Sequence, residues 1–354
     1  MTHIETRYMH PEDPGAFREA SRILQAGGLV AFPTETVYGL GGDALSPEAA
    51  AKIYAAKGRP SDNPLIVHIA EPGDINRIAR EIPSAAQTLL HAFWPGPLTM
   101  ILPKKDVVPD TTTGGLDTVA IRMPAHPTAL RLIRESGILI AAPSANLSGR
   151  PSPTDASHVQ EDLSGRIDMI LDDGPVGIGI ESTIIDLTGS KPAILRPGFI
   201  TREMLEAMIG PVELDPTLIH PDPNIRPRAP GMKYTHYAPK GELTIIEDTA
   251  QPGIVTPMVS ARIRKLASEA LSRGRRVVVL TTAEHAELYP GLDILTLGDR
   301  GEGRTVAAHL YSALRKCDDL GAEIILSESF RRDEFGGAIM NRLLKAAGHR
   351  LISV

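Results

Sequence analysis

Over the first 210 residues the apolar positions fall in short runs, which predict strands at 29–32, 65–69, 98–102, 118–123, 138–142, 169–171, 182–187 and 193–195. Two helices are predicted among them. After Asp13-Pro14, the positions Phe17, Ala20, Ile23 and Leu24 keep helical spacing until Gly27-Gly28 ends it. Ser46-Pro47-Glu48 reads as N-cap, N1 and N2 of a second helix, which Gly58 stops. Many strands with few intervening helices predict an α+β domain over residues 1–210, built on a twisted mixed sheet with flanking helices.

The pattern then breaks. Seven prolines occur in the 29 residues from Pro211 to Pro239. Each fixes φ and withholds a backbone donor, so residues 211–240 read as a Pro-rich linker. Its second half, 226–239, carries basic and aromatic residues that a passive spacer does not need, which makes it a candidate lid or strap. Beyond it, apolar runs at 243–247, 276–281, 292–297 and 323–327 alternate with helical patterns at 257–273, 283–289, 305–320 and 337–348. That alternation predicts a Rossmann-like α/β domain with a parallel sheet over residues 241–354. The three-glycine dinucleotide fingerprint is missing: Gly301-Glu302-Gly303 is followed three residues later by Val306 and does not close a predicted strand.

A length of 354 residues, 42% hydrophobic and 23% charged, agrees with two ordinary globular domains and excludes a coiled coil, a collagen-like repeat or a disordered tail. No apolar run approaches the ~18–20 residues of a membrane span, and the first residues carry no secretory pattern, so a cytoplasmic protein is expected. The single cysteine, Cys317, cannot form an intrachain disulfide or by itself a structural zinc site. Within a helical pattern it reads as a buried structural thiol. Net charge is −6, and residues 241–354 hold 15 basic and 15 acidic residues, so the acidic excess lies in the first 240. A dedicated nucleic-acid binder would carry a basic excess on at least one domain.

Candidate chemistry concentrates in the first domain. Alternation places His68 on the strand face shared with Ile66, and Thr118 and Arg122 on the face shared with Ala120. A mid-strand arginine beside small residues reads as an anion clamp or a structural ion pair. Lys57-Gly58-Arg59, on the loop that continues through Asn63, reads as a phosphate contact or as a helix C-terminus with favourable charge. Ala142-Pro143-Ser144-Ala145-Asn146, after a buried strand, reads as a close-approach loop or a capped turn. No P-loop, Gly-x-Ser-x-Gly elbow, His-Glu-x-x-His helix or Cys-x-x-Cys is present. Trp94 reads as a core anchor.

The stretch Phe32-Pro-Thr-Glu-Thr-Val-Tyr-Gly-Leu-Gly41 is followed in order by Lys57-Gly-Arg59, Arg122-Met-Pro, Pro143-Ser-Ala-Asn146-x-Ser-Gly, Ser182-Thr-Ile and Leu195-Arg196-Pro-Gly. Together these motifs resemble the YrdC-like family in its two-domain, threonylcarbamoyl-AMP-forming branch. The linker Pro230-Gly-Met-Lys-Tyr-Thr-His-Tyr237-Ala-Pro239 and the Rossmann-like tail extend the resemblance over nearly the whole chain. Ala229 stands where the family linker often has serine.

The resemblance implies a nucleotidyltransferase that condenses L-threonine, bicarbonate or CO2, and ATP into threonylcarbamoyl-AMP, releasing pyrophosphate. A separate tRNA threonylcarbamoyl transferase assembly would take the product. It implies that Thr36, His68, Arg122, Ala142 and Ser182 surround threonine. Lys57, Arg59, Asn63, Thr118, Ser144, Ser152 and Arg196 would surround ATP, with Lys57 and Arg59 stabilising charge in catalysis and Tyr237 closing over the nucleotide. Mg2+ is expected with ATP, on phosphate oxygens rather than in a protein metal site. A related carbamoyl-adenylate former would carry acylphosphatase and zinc-finger modules that the chain lacks. A double-stranded RNA-binding or ribosome-associated module without synthase activity is the alternative, and a basic groove of Lys57, Arg59 and Arg196 leaves weak RNA binding open.

Overall fold

The structure, a computed structural model, describes residues 4–218, 227–230, 232, 236–332 and 334–354. Of the predicted linker, residues 219–226, 231 and 233–235 lie outside the described residues, among them Arg226 at the start of the candidate strap. Two compact units are present, the first comprising 1–148, 152–177 and 181–234, the second 149–151, 178–180 and 235–354.

The first unit holds strands β1 (Arg7–Met9), β2 (Val30–Phe32), β3 (Gly39–Asp43), β4 (Ile66–His68), β5 (Leu98–Pro103), β6 (Thr118–Arg122), β7 (Ile140–Ala141), β8 (Met169–Leu171), β9 (Thr183–Asp186), β10 (Ala193–Arg196) and β11 (Glu213–Leu214). They form one sheet in the order β1-β8-β2-β3-β7-β4-β6-β5-β9-β10-β11, with parallel and antiparallel pairs, so the mixed α+β sheet is found. Its helices are α1 (Ala16–Gln25), α2 (Pro47–Lys57), α3 (Ile75–Ile78), α4 (Ser84–Phe93), α5 (Asp110–Thr113), α6 (Pro127–Ser136), α7 (Ala156–Leu163) and α8 (Arg202–Ile209). That is more helix than the sequence pattern predicts. α4 and α8 keep only short apolar stripes, with buried positions Ala86 and Leu89 in one and Leu205 in the other, too few to announce a helix by periodicity.

α2 begins as its sequence dictates. Ser46 Oγ accepts from Ala49 N–H, Pro47 occupies the first turn, and Gly58 adopts φ 61°, ψ 35°, the left-handed cap open to a residue without Cβ. Along the central strands alternation separates two environments. Val67, Ile121, Met100 and Ile185 enter the main core beneath, with Leu89 of α4 and Leu205 of α8. The opposite face carries only a small apolar cluster, Ile66, Ile101, Ala120, Ile184 and Leu195, capped by Ala229 and Met232 of the linker. A polar site can therefore be built on that face without interrupting the core.

The second unit is a five-stranded, all-parallel sheet, β12 (Glu242–Glu247), β13 (Val277–Thr281), β14 (Asp293–Thr296), β15 (Ile324–Glu328) and β16 (Leu351–Ser353), in the order β14-β13-β15-β12-β16. Helices α9 (Pro257–Leu271), α10 (Gly303–Asp319) and α11 (Glu334–Ala346) connect it. Among the described residues no helix is long and apolar enough to cross a membrane.

Candidate active site

Sheet register assembles the site. His68 of β4 pairs with Arg122 of β6, and Arg122 pairs with Thr99 of β5, so three polar side chains stand in one row across three adjacent strands. All are buried, His68 and Arg122 at 3% exposure. The β2–β3 turn overhangs the row. In it Thr34 Oγ1 donates to Val37 O and accepts from the N–H groups of Thr36 and Val37, which fixes Thr36 above Arg122. Arg122 Nη1 donates to Thr36 Oγ1 at 2.8 Å, and Arg122 Nη2 lies 2.7 Å from Glu35 Oε1 in a buried ion pair. Neither Glu35 oxygen makes an aligned hydrogen bond.

His68 is held neutral. Burial, reinforced by the nearby Arg122 cation, pulls its pKa down to about 3, and its Nδ1 lies 3.2 Å from Ile66 O. Ala142 is seated beside it by a hydrogen bond from its N–H to the same Ile66 carbonyl.

A second buried cation lies on the other side of Thr99. Thr99 Oγ1 is 2.8 Å from Ser182 Oγ, and Arg196 Nη2 donates to Ser182 Oγ at 3.1 Å while its Nε donates to Ser182 O at 3.0 Å. The Arg196-Pro-Gly turn can approach this closely because a Cβ on Gly198 would stand 2.5 Å from Thr183 N. Arg196 Nη1 also reaches Pro230 O of the linker at 3.4 Å.

The remaining candidates form a third group. Lys57 is buried, and its ammonium donates to Ser144 O and Asn146 O, each at 2.5 Å, while Ser144 Oγ donates to Asn146 Oδ1. The cation therefore clamps the turn after β7. Arg59 folds onto its own loop, with Nη2 3.2 Å from Pro64 O, and buried Asn63 keeps an Oδ1 without a partner. Thr118 opens β6 on the Arg122 face, ~13 Å along the strand from it. Ser152 Oγ donates to Glu181 Oε1 at 2.5 Å. Tyr237 belongs to the second unit, where its buried ring lies 5.0 Å from that of Tyr311 and its φ is 66°.

Glu35 and Thr99 join the polar network without having been singled out from the sequence, and Glu181 joins it from the segment Glu181-Ser182-Thr183, which carries only a modest signal on its own. Glu35 lies inside a quoted motif, but only the fold shows that it faces Arg122. Among the described residues no group of three His, Cys, Asp or Glu side chains could hold a metal ion.

Buried cations, hydroxyls and a neutral imidazole on one face of a twisted mixed sheet, with an appended parallel-sheet domain, are the polar pocket and the two-domain α/β architecture that the sequence resemblance leads one to expect. A family model described as "Telomere recombination" (Sua5, YciO, YrdC) matches residues 22–198, and one described as "Threonylcarbamoyl-AMP synthase, C-terminal domain" matches 200–348. A Bacillus subtilis threonylcarbamoyl-AMP synthase is 52% identical over 94% of this chain and 93% of its own. The crystal structure of Pyrococcus abyssi Sua5 complexed with L-threonine matches with a TM-score of 0.91 at 44% identity, over 99% of both chains. The same relative with an adjacent histidine and tyrosine replaced by alanine matches with the same score, over 99% of this chain and 98% of that one. The chain belongs to the threonylcarbamoyl-AMP synthase family.

Proposed function

We propose that the chain condenses L-threonine, bicarbonate or CO2, and ATP to threonylcarbamoyl-AMP and pyrophosphate, a product for transfer to tRNA adenosine. The observation that carries this reading is the line Arg122, Thr99, Ser182, Arg196: two buried permanent cations joined by two hydroxyls on one sheet face. Two anions held side by side are what joining a carboxylate-bearing amino acid to a triphosphate requires. The solved complex of the P. abyssi relative with L-threonine supports the amino-acid half.

In this reading Arg122 takes the threonine carboxylate with its planar fork, and Thr36, His68, Ala142 and Ser182 enclose the side chain. The threonine ammonium loses a proton and its nitrogen bonds to the carbon of CO2, giving up a second proton to become a carbamate; from bicarbonate the same N–C bond forms as a C–O bond breaks and water leaves. A carbamate oxygen then attacks the α-phosphorus while the bond to the β-phosphate oxygen breaks, and pyrophosphate leaves with both electrons. Lys57, Arg59 and Arg196 stabilise the charge on the phosphates, and Asn63, Thr118, Ser144 and Ser152 position the nucleotide. Magnesium enters as part of the ATP substrate, on phosphate oxygens.

The linker acts as a strap over the site. Ala229 and Met232 cover the site face and Pro230 meets Arg196, which supports closure that excludes water from a hydrolysable mixed anhydride. Adjacent His-Tyr occurs in this chain only at His236-Tyr237. The P. abyssi relative has been solved with an adjacent histidine and tyrosine replaced by alanine, and this reading gives Tyr237 a part in that closure. A cytoplasmic setting belongs to the same proposal.

The test is pyrophosphate release from ATP with bicarbonate and magnesium, comparing L-threonine, L-serine and no amino acid. Threonine-dependent release with the adenylate seen by mass spectrometry is expected. Salt-dependent RNA binding by folded protein that releases no pyrophosphate would overturn the synthase reading in favour of an RNA-binding module.

A further inference from the structure

Two hydroxyls separate the two buried cations of the site. Alternation along β5 sends Leu98 and Met100 into the main core and leaves Thr99 and Ile101 on the opposite face, where Thr99 pairs with Arg122 of β6. Ser182 precedes β9 and is fixed through its neighbour: Thr183 N–H donates to Pro97 O at 3.0 Å, and Thr183 Oγ1 donates to Ile200 O at 2.7 Å. Both Thr99 and Ser182 are fully buried.

The hydrogen bonds between them do not balance. Thr99 Oγ1 lies 2.8 Å from Ser182 Oγ, and Arg196 Nη2 donates to the same Ser182 Oγ at 3.1 Å. Among the described residues neither hydroxyl has another partner. A guanidinium can only donate, so Arg196 takes one lone pair of Ser182 Oγ, and each hydroxyl carries one hydrogen. If Ser182 donates to Thr99, the Thr99 hydrogen has no acceptor; if Thr99 donates to Ser182, the Ser182 hydrogen has none. One buried O–H is left over in either arrangement, and an oxygen of the ligand is what satisfies it. The second arrangement gives the stronger donor, because Ser182 Oγ then accepts from a cation and from a hydroxyl, and both polarise its own O–H.

We infer that Thr99 is a positioning residue that aims the Ser182 hydroxyl at the carbamate. The inference rests on the synthase reading and gives Ser182 a role beyond enclosing threonine. The row Arg122, Thr99, Ser182, Arg196 repeats the order of the groups in threonylcarbamoyl-AMP, which runs carboxylate, carbamoyl, phosphate. With the carboxylate on Arg122 and the phosphates on Arg196, the group between them is the carbamate. Thr99 donates to Ser182, and Ser182 donates to one carbamate oxygen. The other carbamate oxygen forms the bond to the α-phosphorus as pyrophosphate leaves with the electron pair, and no proton is transferred along the two hydroxyls. The Ser182 bond exists only once threonine has become a carbamate, so it enters kcat and not threonine binding.

The test is a double-mutant cycle on the full chain, reading threonylcarbamoyl-AMP formed from ATP, bicarbonate and threonine with magnesium. Thr99→Val keeps the shape and removes the donor, so kcat should fall about tenfold with the KM values for threonine and ATP within about threefold of the parent. Thr99→Ser restores the hydroxyl and should return kcat to within about twofold of the parent. Ser182→Ala should lower kcat by about 100-fold. On that background Thr99→Val should cost less than about twofold, since no hydroxyl is left to aim. Should the valine fail to pack, Thr99→Ala carries the same comparison. Equal losses from Thr99→Val with and without Ser182, a loss that Thr99→Ser does not rescue, or an unchanged kcat in folded Thr99→Val protein would each overturn this assignment and leave the synthase reading standing. A parent chain that forms no threonylcarbamoyl-AMP would overturn both.

Discussion

Glu35 Oε1 sits 2.7 Å from Arg122 Nη2, both side chains largely withdrawn from water, in the place where the proposed reaction needs Arg122 for a substrate carboxylate. A buried guanidinium left alone would be costly, so the fold supplies its own counter-charge from the β2–β3 turn. In the proposed reaction the same carboxylate would compete with the incoming threonine. Glu35→Gln removes the competitor while keeping the shape, and isothermal titration is expected to show threonine binding about 3–10-fold tighter. Weaker binding would mean that Glu35 contacts the substrate and does not merely stand in for it.

Arg122 and Arg59 should separate the two substrates. Arg122→Ala is expected to raise the apparent KM for threonine by ~100-fold or more, because it strands the Glu35 carboxylate and removes a bidentate partner. Its ATP KM should move by less than about threefold. Arg59→Ala should show the reverse pattern. Steady-state kinetics with each substrate varied in turn checks this, and equal shifts in both constants would undo the division. Adding Glu35→Gln to Arg122→Ala should recover stability without recovering threonine affinity.

Lys57 links stability to activity. Its ammonium satisfies two carbonyls of the 144–146 turn inside the protein. Lys57→Met keeps the stem and loses both charge-assisted bonds, so chemical denaturation should show a loss of about 2–4 kcal/mol. Synthase activity should fall at least ~100-fold, since the turn and the phosphates lose the same cation. A variant as stable as the parent would show that the lysine does not hold the turn.

His68 predicts an acid limb. Its folded-state pKa is lowered to about 3 from the ordinary 6.5 of an exposed imidazole, so between these values the unfolded chain binds a proton that the native protein does not. Stability is therefore unaffected by this group above pH 6.5 and is lost as pH falls below it, by up to ~1.4 kcal/mol per unit from this residue alone. His68→Gln, compared with the parent by urea denaturation at pH 7 and pH 5, should flatten that slope. The pH–rate profile between 6.5 and 8 should show no inflection from His68, because the imidazole stays neutral throughout.

Strands with continuous apolar character, such as Met169–Leu171 and Ala193–Arg196, were legible because burial on both sides of a strand leaves an unbroken run. The second unit was more legible still, since each of its strands and helices alternates. Four short strands escaped. Gly39–Asp43 is mostly glycine and polar at its end, Arg7–Met9 is largely exposed at the sheet edge, Glu213–Leu214 is two exposed residues inside the proline-rich stretch, and Leu351–Ser353 is three residues at the edge of the second sheet, so none carries a hydrophobic period. α4 and α8 escaped because each buries only a few side chains against the back of the sheet.

By itself the sequence determined the local matters: the cap at Ser46 and the stop at Gly58, the face that His68 and Arg122 each take, the break in the proline-rich stretch, and the ordered motifs that carry the family resemblance. These depend on residues within a few positions of each other. Only the tertiary structure decided that His68, Arg122 and Thr99 form one row, that Glu35 answers Arg122, that Lys57 clamps the 144–146 turn, and that Tyr237 packs on Tyr311. Those relationships are set by strand register and by loops returning from about 20 to more than 80 residues away. Alternation fixes which face a side chain occupies, but the neighbour it meets there is chosen by the pairing of whole strands, and no local pattern encodes that choice.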